Sequence, residues 1–334
     1  MIVELIQKMI DRGDLSEQEA RGAMEEIMAG QATDAQIGSF LTALRMKGET
    51  APELIGFARV MREKAEPLWD GEIPPILDTC GTGGDRSGTF NISTAAAFVA
   101  AGTGVRVAKH GNRSASSRCG SADVMEALGT DIQMATDRLR RAIQEIGIGF
   151  LFAQRFHKSM KHVMPARTQL KVRTVFNILG PLANPASASF QVVGVSSPEI
   201  MELMANALQG LGLKHAFVVH GANGLDEVSI SSRTFVVEIR GEGIRQFVMT
   251  PEDFGIPSAN SEEILGGDAS ENARIIEKVL TGEPGPRRNV VLLNAAPALV
   301  AAGAVSTWKE GIRLAAESID SGAALKKLQA LREF

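Results

Sequence analysis

Residues 76–101 read ILDTCGTGGDRSGTFNISTAAAFVAA and contain three consecutive structural signals. The apolar run 76–78 predicts a short strand, and the alanine-rich run 93–101 predicts a buried helix. Between them, Gly81-Thr-Gly-Gly-Asp85 supplies glycines that allow the backbone to bend sharply and its N–H groups to approach an anion. A glycine-rich turn between a strand and a helix is a common phosphate site, although such turns are also frequent without a ligand. The pattern is neither the dinucleotide-binding GxGxxG nor a Walker loop.

Four polar side chains stand between this turn and the predicted helix, namely Thr89, Asn91, Ser93 and Thr94. Either Ser93 or Thr94 fits the N-cap of the helix. An N-cap and an anion site use the same unpaired N–H groups, so the two interpretations are compatible.

A second junction of the same kind follows a predicted strand at 105–108 and carries positive charge. It reads Lys109-His-Gly-Asn-Arg-Ser-Ala-Ser-Ser-Arg118 and leads to a predicted helix at 121–128. Cations interleaved with small hydroxyl residues suit an extended polyphosphate, while an ordinary exposed basic loop is the alternative. Two such turns after neighbouring parallel strands would face each other at the carboxyl edge of a sheet, where ligands of α/β proteins bind.

Asp226-Glu227 is the third candidate. The pair follows a predicted strand at 216–220 and a turn at 221–224. Adjacent carboxylates are usually solvated surface charge. At the mouth of a phosphate-binding sheet, however, they would supply hard oxygen ligands for Mg²⁺, which binds through one or two carboxylates, waters and substrate phosphates.

The rest of the chain beyond residue 76 alternates between predicted strands and helices. Further strands are predicted at 190–195, 235–239 and 290–293, and further helices at 137–146, 198–211, 270–281 and 307–319. This alternation predicts helices packed on a mainly parallel sheet. Residues 250–267 are polar and rich in Pro and Gly, which indicates a surface loop.

Residues 1–66 carry helical signals only. Capping boxes at Ser16 and Thr33, each with a Glu or Gln three positions later, mark the starts of two helices, and Gly48 ends the second of them. The Pro- and Gly-rich residues 67–75 are typical of a linker. The chain therefore begins with a small helical unit.

Composition narrows the function classes. The chain has 334 residues with 35 basic and 39 acidic side chains, and its net charge of −4 disfavours a general nucleic-acid binder. No secretory signal is evident, and no run reaches the roughly 20 apolar residues of a membrane span. Two cysteines without a CxxC pair suit a reducing cytosol. Histidine spacing favours no zinc site, and no GxSxG element supports a covalent hydrolase.

Six motifs together closely resemble those of the anthranilate phosphoribosyltransferase family, in order and spacing, over essentially the whole chain. They are Gly81-Thr-Gly-Gly-Asp85, Asn91-Ile-Ser-Thr94, Lys109-His-Gly-Asn-Arg113, Gly120-Ser-Ala-Asp123, Asn177-Ile-Leu-Gly-Pro-Leu-Ala-Asn-Pro185 and Gly224-Leu-Asp-Glu227. The resemblance implies transfer of the 5-phosphoribosyl group from phosphoribosyl pyrophosphate (PRPP) to the amine of anthranilate, with release of pyrophosphate, in tryptophan biosynthesis. It also implies an α/β fold with a small all-α domain, the nucleoside phosphorylase-like phosphoribosyltransferase fold, in which helices flank a central, mostly parallel sheet.

The resemblance also implies a role for each matching position. PRPP would be bound by Gly81, Gly84, Asp85, Thr89, Asn91, Ile92, Ser93, Thr94, Lys109, His110, Gly111, Asn112, Arg113, Ser114, Ala115, Ser116, Ser117 and Ser121. Anthranilate would contact Gly81, Asn112, Arg167, Gly180 and Pro181, with its carboxylate facing Arg167. The metal ligands would be Ser93, Asp226 and Glu227, and the catalytic residues Lys109 and Arg167.

By the same resemblance, residues 1–70 would form the helical domain, to which residues 165–185 return, and residues 71–334 would form the PRPP-binding α/β domain. Two Mg²⁺ ions per subunit and a homodimer are expected. The expected partners are small-molecule substrates rather than nucleic acid or a membrane, and the expected location is the cytoplasm.

The chain departs from the family pattern at a few positions. Lys171 stands where the family commonly has Gly, and Phe156 stands where Tyr is common; the chain contains no tyrosine. These departures affect how the aromatic ring of the substrate is packed rather than the phosphate chemistry.

Three other functions are weighed against this one. A nucleoside phosphorylase of the same fold would carry a Lys-His-Ser-Thr-Gly-Gly type of loop, which this chain lacks. A non-enzymatic nucleic-acid-binding relative would be expected to carry a basic surface and could lose the acidic pair, whereas Asp226-Glu227 is intact. A PRPP-binding transferase of the other fold ends its strand in two adjacent acids, while only Asp78 precedes Thr79 here.

Overall fold

The computed structural model describes residues 1–114 and 118–334. Ala115, Ser116 and Ser117, for which the sequence predicts PRPP binding, lie outside the described residues. The N-terminal helices are α1 Ile2–Ile10, α2 Glu17–Met28, α3 Asp34–Lys47 and α4 Ala51–Lys64.

Local signals set the starts and ends of these helices. The Ser16 hydroxyl accepts a hydrogen bond from Glu19 N at 3.2 Å, and the Thr33 hydroxyl accepts one from Gln36 N at 3.3 Å. Both caps are completed by the reciprocal side-chain bond, which makes them capping boxes. Gly48 follows α3 with φ +95°, in the region that favours glycine. The helical character and the caps predicted for this part of the chain are confirmed.

Within the described residues, seven strands form one sheet. They are β1 Leu77–Gly81, β2 Val107–Gly111, β3 Ile148–Phe152, β4 Phe190–Gly194, β5 His215–Gly221, β6 Thr234–Arg240 and β7 Gly243–Met249. Their spatial order is β3-β2-β1-β4-β5-β6-β7; β1 to β5 are parallel, and β6 and β7 add an antiparallel edge. The mainly parallel sheet is confirmed. Because the order reverses between β1 and β4, the topological switch point lies there.

Helices cover both faces of the sheet. They are α5 Ile92–Gly102, α6 Ser121–Ala127, α7 Thr136–Glu145, α8 Ala153–Phe156, α9 Met164–Leu170, α10 Phe176–Leu179, α11 Met201–Gly210, α12 Ala269–Leu280, α13 Pro286–Ala301, α14 Trp308–Asp320 and α15 Ala323–Glu333. Short 3₁₀ turns occupy Lys158–His162, Gly180–Leu182, Pro198–Ile200, Pro251–Phe254 and Ser261–Ile264.

The strand predicted at 290–293 is wrong. These residues lie inside α13, which starts at Pro286 and is buried at every position from Val290 to Ala301. A helix buried on all sides has no polar face, so four of its residues resemble a buried strand. Pro at the first helical position was the available sign of a helix.

The ends of several other elements differ from those that the sequence predicts. β1 continues through Gly81 and β2 through Gly111, so Lys109 is a strand residue rather than a loop residue. The elements without a predicted counterpart are β3, β7, α8, α9, α10 and α15. The predicted surface loop at 250–267 contains two 3₁₀ turns, and its Ile264 is fully buried. The segment therefore also contributes to the core.

The apolar core lies on both faces of the sheet. One cluster joins α5, α13 and α15 to one face, and the other joins α1 to α4 and α11 to the opposite face. The second cluster also includes side chains between residues 163 and 183, which pack with the N-terminal helices despite their distance in sequence. Of the helices in residues 1–114 and 118–334, none combines the length and apolar character needed to span a bilayer.

Candidate active site

The switch point between β1 and β4 is lined by glycine. Gly81 ends β1 and pairs with Gly194, which ends β4. A Cβ atom on Gly194 would lie 1.6 Å from the backbone oxygen of Asp226, and one on Gly81 would lie 2.8 Å from Asp226 Oδ2. The backbone contact leaves no room for a side chain at Gly194, and a side chain at Gly81 would displace the carboxylate of Asp226. Glycine at both strand ends therefore admits the acidic pair to the carboxyl edge of the sheet.

The glycine-rich turn contacts Asp226 directly. Gly83 N donates a hydrogen bond to Asp226 Oδ2 at 2.8 Å, and Asp226 N donates to Asp85 Oδ2 at 3.5 Å. Gly83 and Gly84 have φ values of +65° and +79°, which glycine adopts without strain. Thr89 lies half-buried four positions beyond Asp85. The glycine-rich turn at 81–85 and the acidic pair Asp226-Glu227 are therefore in direct contact.

Ser93, Lys109 and Glu227 meet at the start of α5. Ser93 N donates to Glu227 Oε1 at 3.1 Å, and Lys109 Nζ donates to Ser93 Oγ at 3.3 Å. Lys109 is buried and also donates to the carbonyl of Thr79. A cation, a hydroxyl, a carboxylate and a helix N-terminus therefore converge, which is an arrangement that can hold a diphosphate together with a metal ion.

Burial and mutual repulsion shift the charges of this cluster. Desolvation by the surrounding protein raises the pKa of Glu227 to about 7, against the opposing attraction of Lys109. Desolvation, and then repulsion from Asp85 and Glu227, raises the pKa of Asp226. Burial lowers the pKa of Lys109, although the neighbouring carboxylates oppose this. Both pKa shifts of the acids favour the neutral carboxyl groups, because the attraction of Lys109 does not offset the burial and the mutual repulsion of the acids.

The donor set fits Mg²⁺. The carboxylates of Asp226 and Glu227 and the hydroxyl of Ser93 are hard oxygen donors, and a divalent cation would relieve the repulsion between the acids. In the part of the chain that the structure describes, no three His, Cys, Asp or Glu side chains are grouped so that they could hold a metal ion by themselves, so a metal here would need Ser93 and further ligands. An open site suits Mg²⁺, because this ion keeps several waters and takes further oxygens from substrate phosphates.

The second turn is braced by α6. Asn112 N donates to Ser121 Oγ at 3.2 Å. The N–H groups of Ser114 and Gly120 donate to Asp123 Oδ2 at 3.1 and 2.8 Å. These bonds fix the described part of the turn beside the end of β2, where Gly111 lies.

Arg113 is bound by acids of α6. Its Nη1 lies 2.9 Å from Asp123 Oδ1 and 2.9 Å from Glu126 Oε2. Hydrogen bonds to Glu126 and Asp123 raise the pKa of this guanidinium. In this structure the charge of Arg113 is compensated within the protein, whereas Lys109 Nζ lies beside Ser93 and attracts Glu227.

The cap predicted for α5 is wrong. The helix begins at Ile92 with Asn91 in the N-cap position, so Ser93 and Thr94 lie within its first turn. Among the described residues the buried hydroxyl of Thr94 has no hydrogen-bond partner. The N–H of Ser93, in the first turn of α5, donates its hydrogen bond to Glu227 instead.

Residues 163–185 meet β2 at Gly180. Gly180 O lies 3.1 Å from His110 Nδ1, and the neighbouring Pro181 is buried. The His110 and His157 rings meet edge to face with centroids 5.3 Å apart. Burial, and then the neighbouring His157, lowers the pKa of His110 to about 3, and burial lowers the pKa of His157 to about 4. Both imidazoles are therefore neutral near pH 7.

Arg167 lies on α9 with its guanidinium 5.3 Å from the centre of the Phe176 ring. Burial lowers the pKa of Arg167. Within residues 1–114 and 118–334, no hydrogen bond or ion pair connects this guanidinium to the glycine-rich turn. Its role in anthranilate binding stays a prediction.

Two further polar residues brace the site and were not predicted. Asn184 Nδ2 donates to Asp78 Oδ2 at 2.8 Å and to Ala108 O at 2.9 Å, so it ties β1 to β2. Arg173 Nη1 donates to Gly84 O at 3.3 Å. Asn184 belongs to one of the recognised motifs, but its partners depend on strand pairing that spacing alone does not reveal. Arg173 carries no sequence signal of its own.

Two family models match the chain. The α/β domain of a glycosyl transferase family matches residues 73–325, and the helical bundle domain of a glycosyl transferase family matches residues 3–65. Together these matches cover most of both the sheet and the N-terminal helices.

Three similar proteins carry the same name. Anthranilate phosphoribosyltransferase of Symbiobacterium thermophilum is 54% identical over 330 residues, covering 99% of this chain and 96% of that protein. The crystal structure of the enzyme of the same name from Thermus thermophilus superposes with a TM-score of 0.93 at 46% identity, covering 98% of each chain. The enzyme of the same name from Saccharomyces cerevisiae, in complex with PRPP and Mg, gives a TM-score of 0.90 at 32% identity, covering 99% of this chain and 97% of that one.

Proposed function

Because the chain belongs to the anthranilate phosphoribosyltransferase family of pentosyl transferases, we propose that it transfers the 5-phosphoribosyl group of PRPP to the amine of anthranilate, releasing pyrophosphate, in tryptophan biosynthesis. The observation that carries this proposal is the meeting of Lys109, Ser93 and Glu227 beside the glycine-rich turn at the β1–β4 switch point. Ligands of α/β sheets bind at such switch points.

PRPP would lie across the two turns at the carboxyl edge of the sheet. Its contacts would come from the residues predicted by motif, among which N–H groups and hydroxyls are abundant and Lys109 supplies the buried cation. Lys109 would stabilise the charge that builds up on the leaving pyrophosphate. Its burial strengthens that attraction because the surrounding dielectric is low.

Mg²⁺ would be held by Ser93, Asp226 and Glu227, and we propose two ions per subunit. Bound there, the metal supplies positive charge to the pyrophosphate oxygens. The yeast relative was solved with PRPP and Mg, which supports the choice of ion.

The acceptor would bind between the second turn and residues 163–185. Arg167 would face the carboxylate of anthranilate, and Asn112, Gly81, Gly180 and Pro181 would contact the rest of the molecule. In the reaction the bond between ribose C1 and the pyrophosphate oxygen breaks, the oxygen keeps the electron pair, and the amine lone pair forms the new C1–N bond before the nitrogen loses a proton to solvent. An aromatic amine is already unprotonated at pH 7, so no general base has to remove a proton before the attack, and positioning of the two substrates supplies much of the remaining catalysis.

We propose the domain division and assembly that the sequence indicates. Residues 1–70 with 165–185 form the helical domain, and residues 71–334 otherwise form the α/β domain of a cytoplasmic homodimer that binds neither nucleic acid nor membranes. Exposed apolar side chains on neighbouring helices support a dimer face: Val3 and Ile10 on α1, Met46 on α3 and Met164 on α9. Light scattering should give twice the chain mass.

One assay tests the activity. The purified protein is mixed with anthranilate, PRPP and Mg²⁺, and anthranilate fluorescence is followed. We expect a loss of fluorescence that requires PRPP, stops when EDTA removes the metal, and nearly vanishes in Lys109→Met. Phosphorolysis of pyrimidine nucleosides in the absence of any PRPP-dependent signal would instead favour the nucleoside phosphorylase alternative.

A further inference from the structure

Asn294 is a buried amide inside the otherwise apolar helix α13. Its side chain is 3% exposed. Nδ2 donates hydrogen bonds to Val228 O at 2.9 Å and Val290 O at 2.8 Å, and Oδ1 accepts one from Val228 N at 2.8 Å. The amide thus pairs with both backbone groups of Val228, as a neighbouring strand would.

Val228 directly follows the acidic pair, and the backbone around the pair has little regular support. Residues 222–233 belong to no helix or strand. On the N-terminal side the chain is anchored where Gly221 N donates to Leu225 O at 2.8 Å. On the C-terminal side Asn294 binds the backbone of Val228, and Ser229 N donates to Thr234 Oγ1 at 2.9 Å. The carboxylates of Asp226 and Glu227 are bound by Gly83 N and Ser93 N, while the backbone that follows the pair is bound by a side chain from a distant helix.

The pair needs such an anchor because its two carboxylates must keep their places on an irregular segment. Asp226 lies against Gly83 N and Glu227 against Ser93 N, so a small movement of the backbone between residues 222 and 233 would displace both carboxylates. A backbone hydrogen-bonded on both its N–H and C=O resists that movement. Loss of the amide would also leave two buried backbone groups of Val228 without partners.

We infer that Asn294 is a positioning residue that holds the carboxylates of Asp226 and Glu227 in place for the metal ion. The inference rests on the proposed function, because it assumes that these carboxylates bind Mg²⁺. Asn294 acts through the Val228 backbone and touches neither metal nor substrate. Residues that orient metal ligands in this way typically alter metal affinity by about 10- to 100-fold when changed.

Mn²⁺ provides a direct readout of this role. Free Mn²⁺ is measured by electron paramagnetic resonance while the protein, saturated with PRPP, is titrated with the metal. Asn294→Leu removes all three hydrogen bonds at similar volume and should weaken Mn²⁺ binding about 10-fold. Asn294→Asp retains the acceptor for Val228 N–H but places an oxygen in place of the donating N–H₂ against the carbonyls of Val228 and Val290, so it should also weaken Mn²⁺ binding about 10-fold. If Asn294→Leu fails to fold, the Asp variant alone decides the matter.

A matched control separates positioning from stability. Ser318 is also buried, and its hydroxyl donates to Val99 O at 2.8 Å, but it lies on α14 away from the acidic pair. Ser318→Ala should lower the melting temperature and leave Mn²⁺ affinity unchanged. Asn294 variants that lower the melting temperature but keep full Mn²⁺ affinity would overturn the inference. If Glu227→Gln also keeps full Mn²⁺ affinity, the proposed metal site itself is wrong.

Discussion

The two sides of the proposed cleft are built differently. The phosphate side, comprising the turns after β1 and β2 and the acidic pair, is tied together by hydrogen bonds between distant residues such as Gly83 with Asp226 and Ser93 with Glu227. The acceptor side, residues 163–185, contains α-helices of seven and four residues and a 3₁₀ turn of three, joined by irregular backbone. The guanidinium of Arg167 contacts the Phe176 ring.

This difference follows from what each side must do. A diphosphate and its metal carry fixed charge, and stabilising charge that develops during a reaction requires dipoles that do not reorganise. An aromatic acid mainly needs a shaped surface and one counter-charge, which many packings can supply. Both departures from the family pattern, Phe156 and Lys171, lie on or next to the acceptor side.

The largest effect is expected from filling the switch point. In Gly194→Ala the new Cβ would overlap the backbone oxygen of Asp226 at 1.6 Å, so the acidic pair must move. A displacement of about 1 Å at a catalytic group can reduce activity about 100-fold, and we expect a loss of at least that size in kcat/KM for PRPP. Steady-state kinetics at saturating anthranilate measures it.

A matched glycine provides the control for this change. Among the described residues, no heavy atom beyond its chain neighbours lies within 4 Å of a Cβ built on Gly71. Gly71→Ala should keep wild-type kinetics. Near-normal activity of Gly194→Ala would show that the phosphate side is less rigid than its hydrogen bonds indicate.

A smaller and more selective effect is expected on the acceptor side. Arg167→Gln removes the cation assigned to the anthranilate carboxylate while keeping a polar side chain of similar reach. A hydrogen bond to a charged group contributes about 1.5–3 kcal/mol, so KM for anthranilate should rise by about 10- to 100-fold while KM for PRPP stays near wild type. Arg167→Lys keeps the charge but loses the planar guanidinium, so its KM for anthranilate should lie between those of the wild type and Arg167→Gln. An unchanged KM for anthranilate in Arg167→Gln would remove Arg167 from the acceptor site.

The sequence predicted the residues of the phosphate side better than it predicted the residues that hold them in place. Gly81, Lys109 and Asp226 could be singled out because they stand after predicted strands and match motifs of the family, although the residue types alone also fit an ordinary turn, a basic loop and surface charge. Asn184 and Asn294 could not, because their partners are backbone groups of strands and loops far away in the chain. The misassigned strand at 290–293 has the same origin: burial by tertiary packing removes the periodic pattern on which local prediction depends.

The histidine pair at the border of the two sides should make stability pH-dependent. His110 and His157 have folded pKa values of about 3 and about 4, below the 6.5 of a free histidine, and Lys109 and Arg62 add to the unfavourable environment of a charged His110. Below pH 6.5 the unfolded chain binds protons that the folded chain does not, so the free energy of unfolding falls as pH is lowered from 6.5 towards 4.

Replacing one histidine of the pair measures its contribution to the pH dependence of stability. In His157→Gln the slope of unfolding free energy against pH, from urea denaturation between pH 6.5 and 4.5, should decrease by about 1 kcal/mol per pH unit. Identical slopes in the variant and the wild type would mean that His157 accepts a proton in the folded state. The acceptor side would then open to solvent more readily than its packing indicates.

The smallest effect is expected where the acceptor side departs from its family. Lys171 follows α9 in the left-handed conformation, with φ +53°, and this explains why glycine is common at the position. An L-residue in that conformation costs about 1–2 kcal/mol, of which glycine recovers part because it has more freedom to lose on folding. Lys171→Gly should therefore raise the free energy of unfolding by about 0.5 kcal/mol in urea denaturation, whereas Lys309→Gly in the first turn of α14 should lower it by up to about 1 kcal/mol. A destabilised Lys171→Gly would indicate that the lysine side chain contributes contacts to the acceptor side that outweigh its backbone strain.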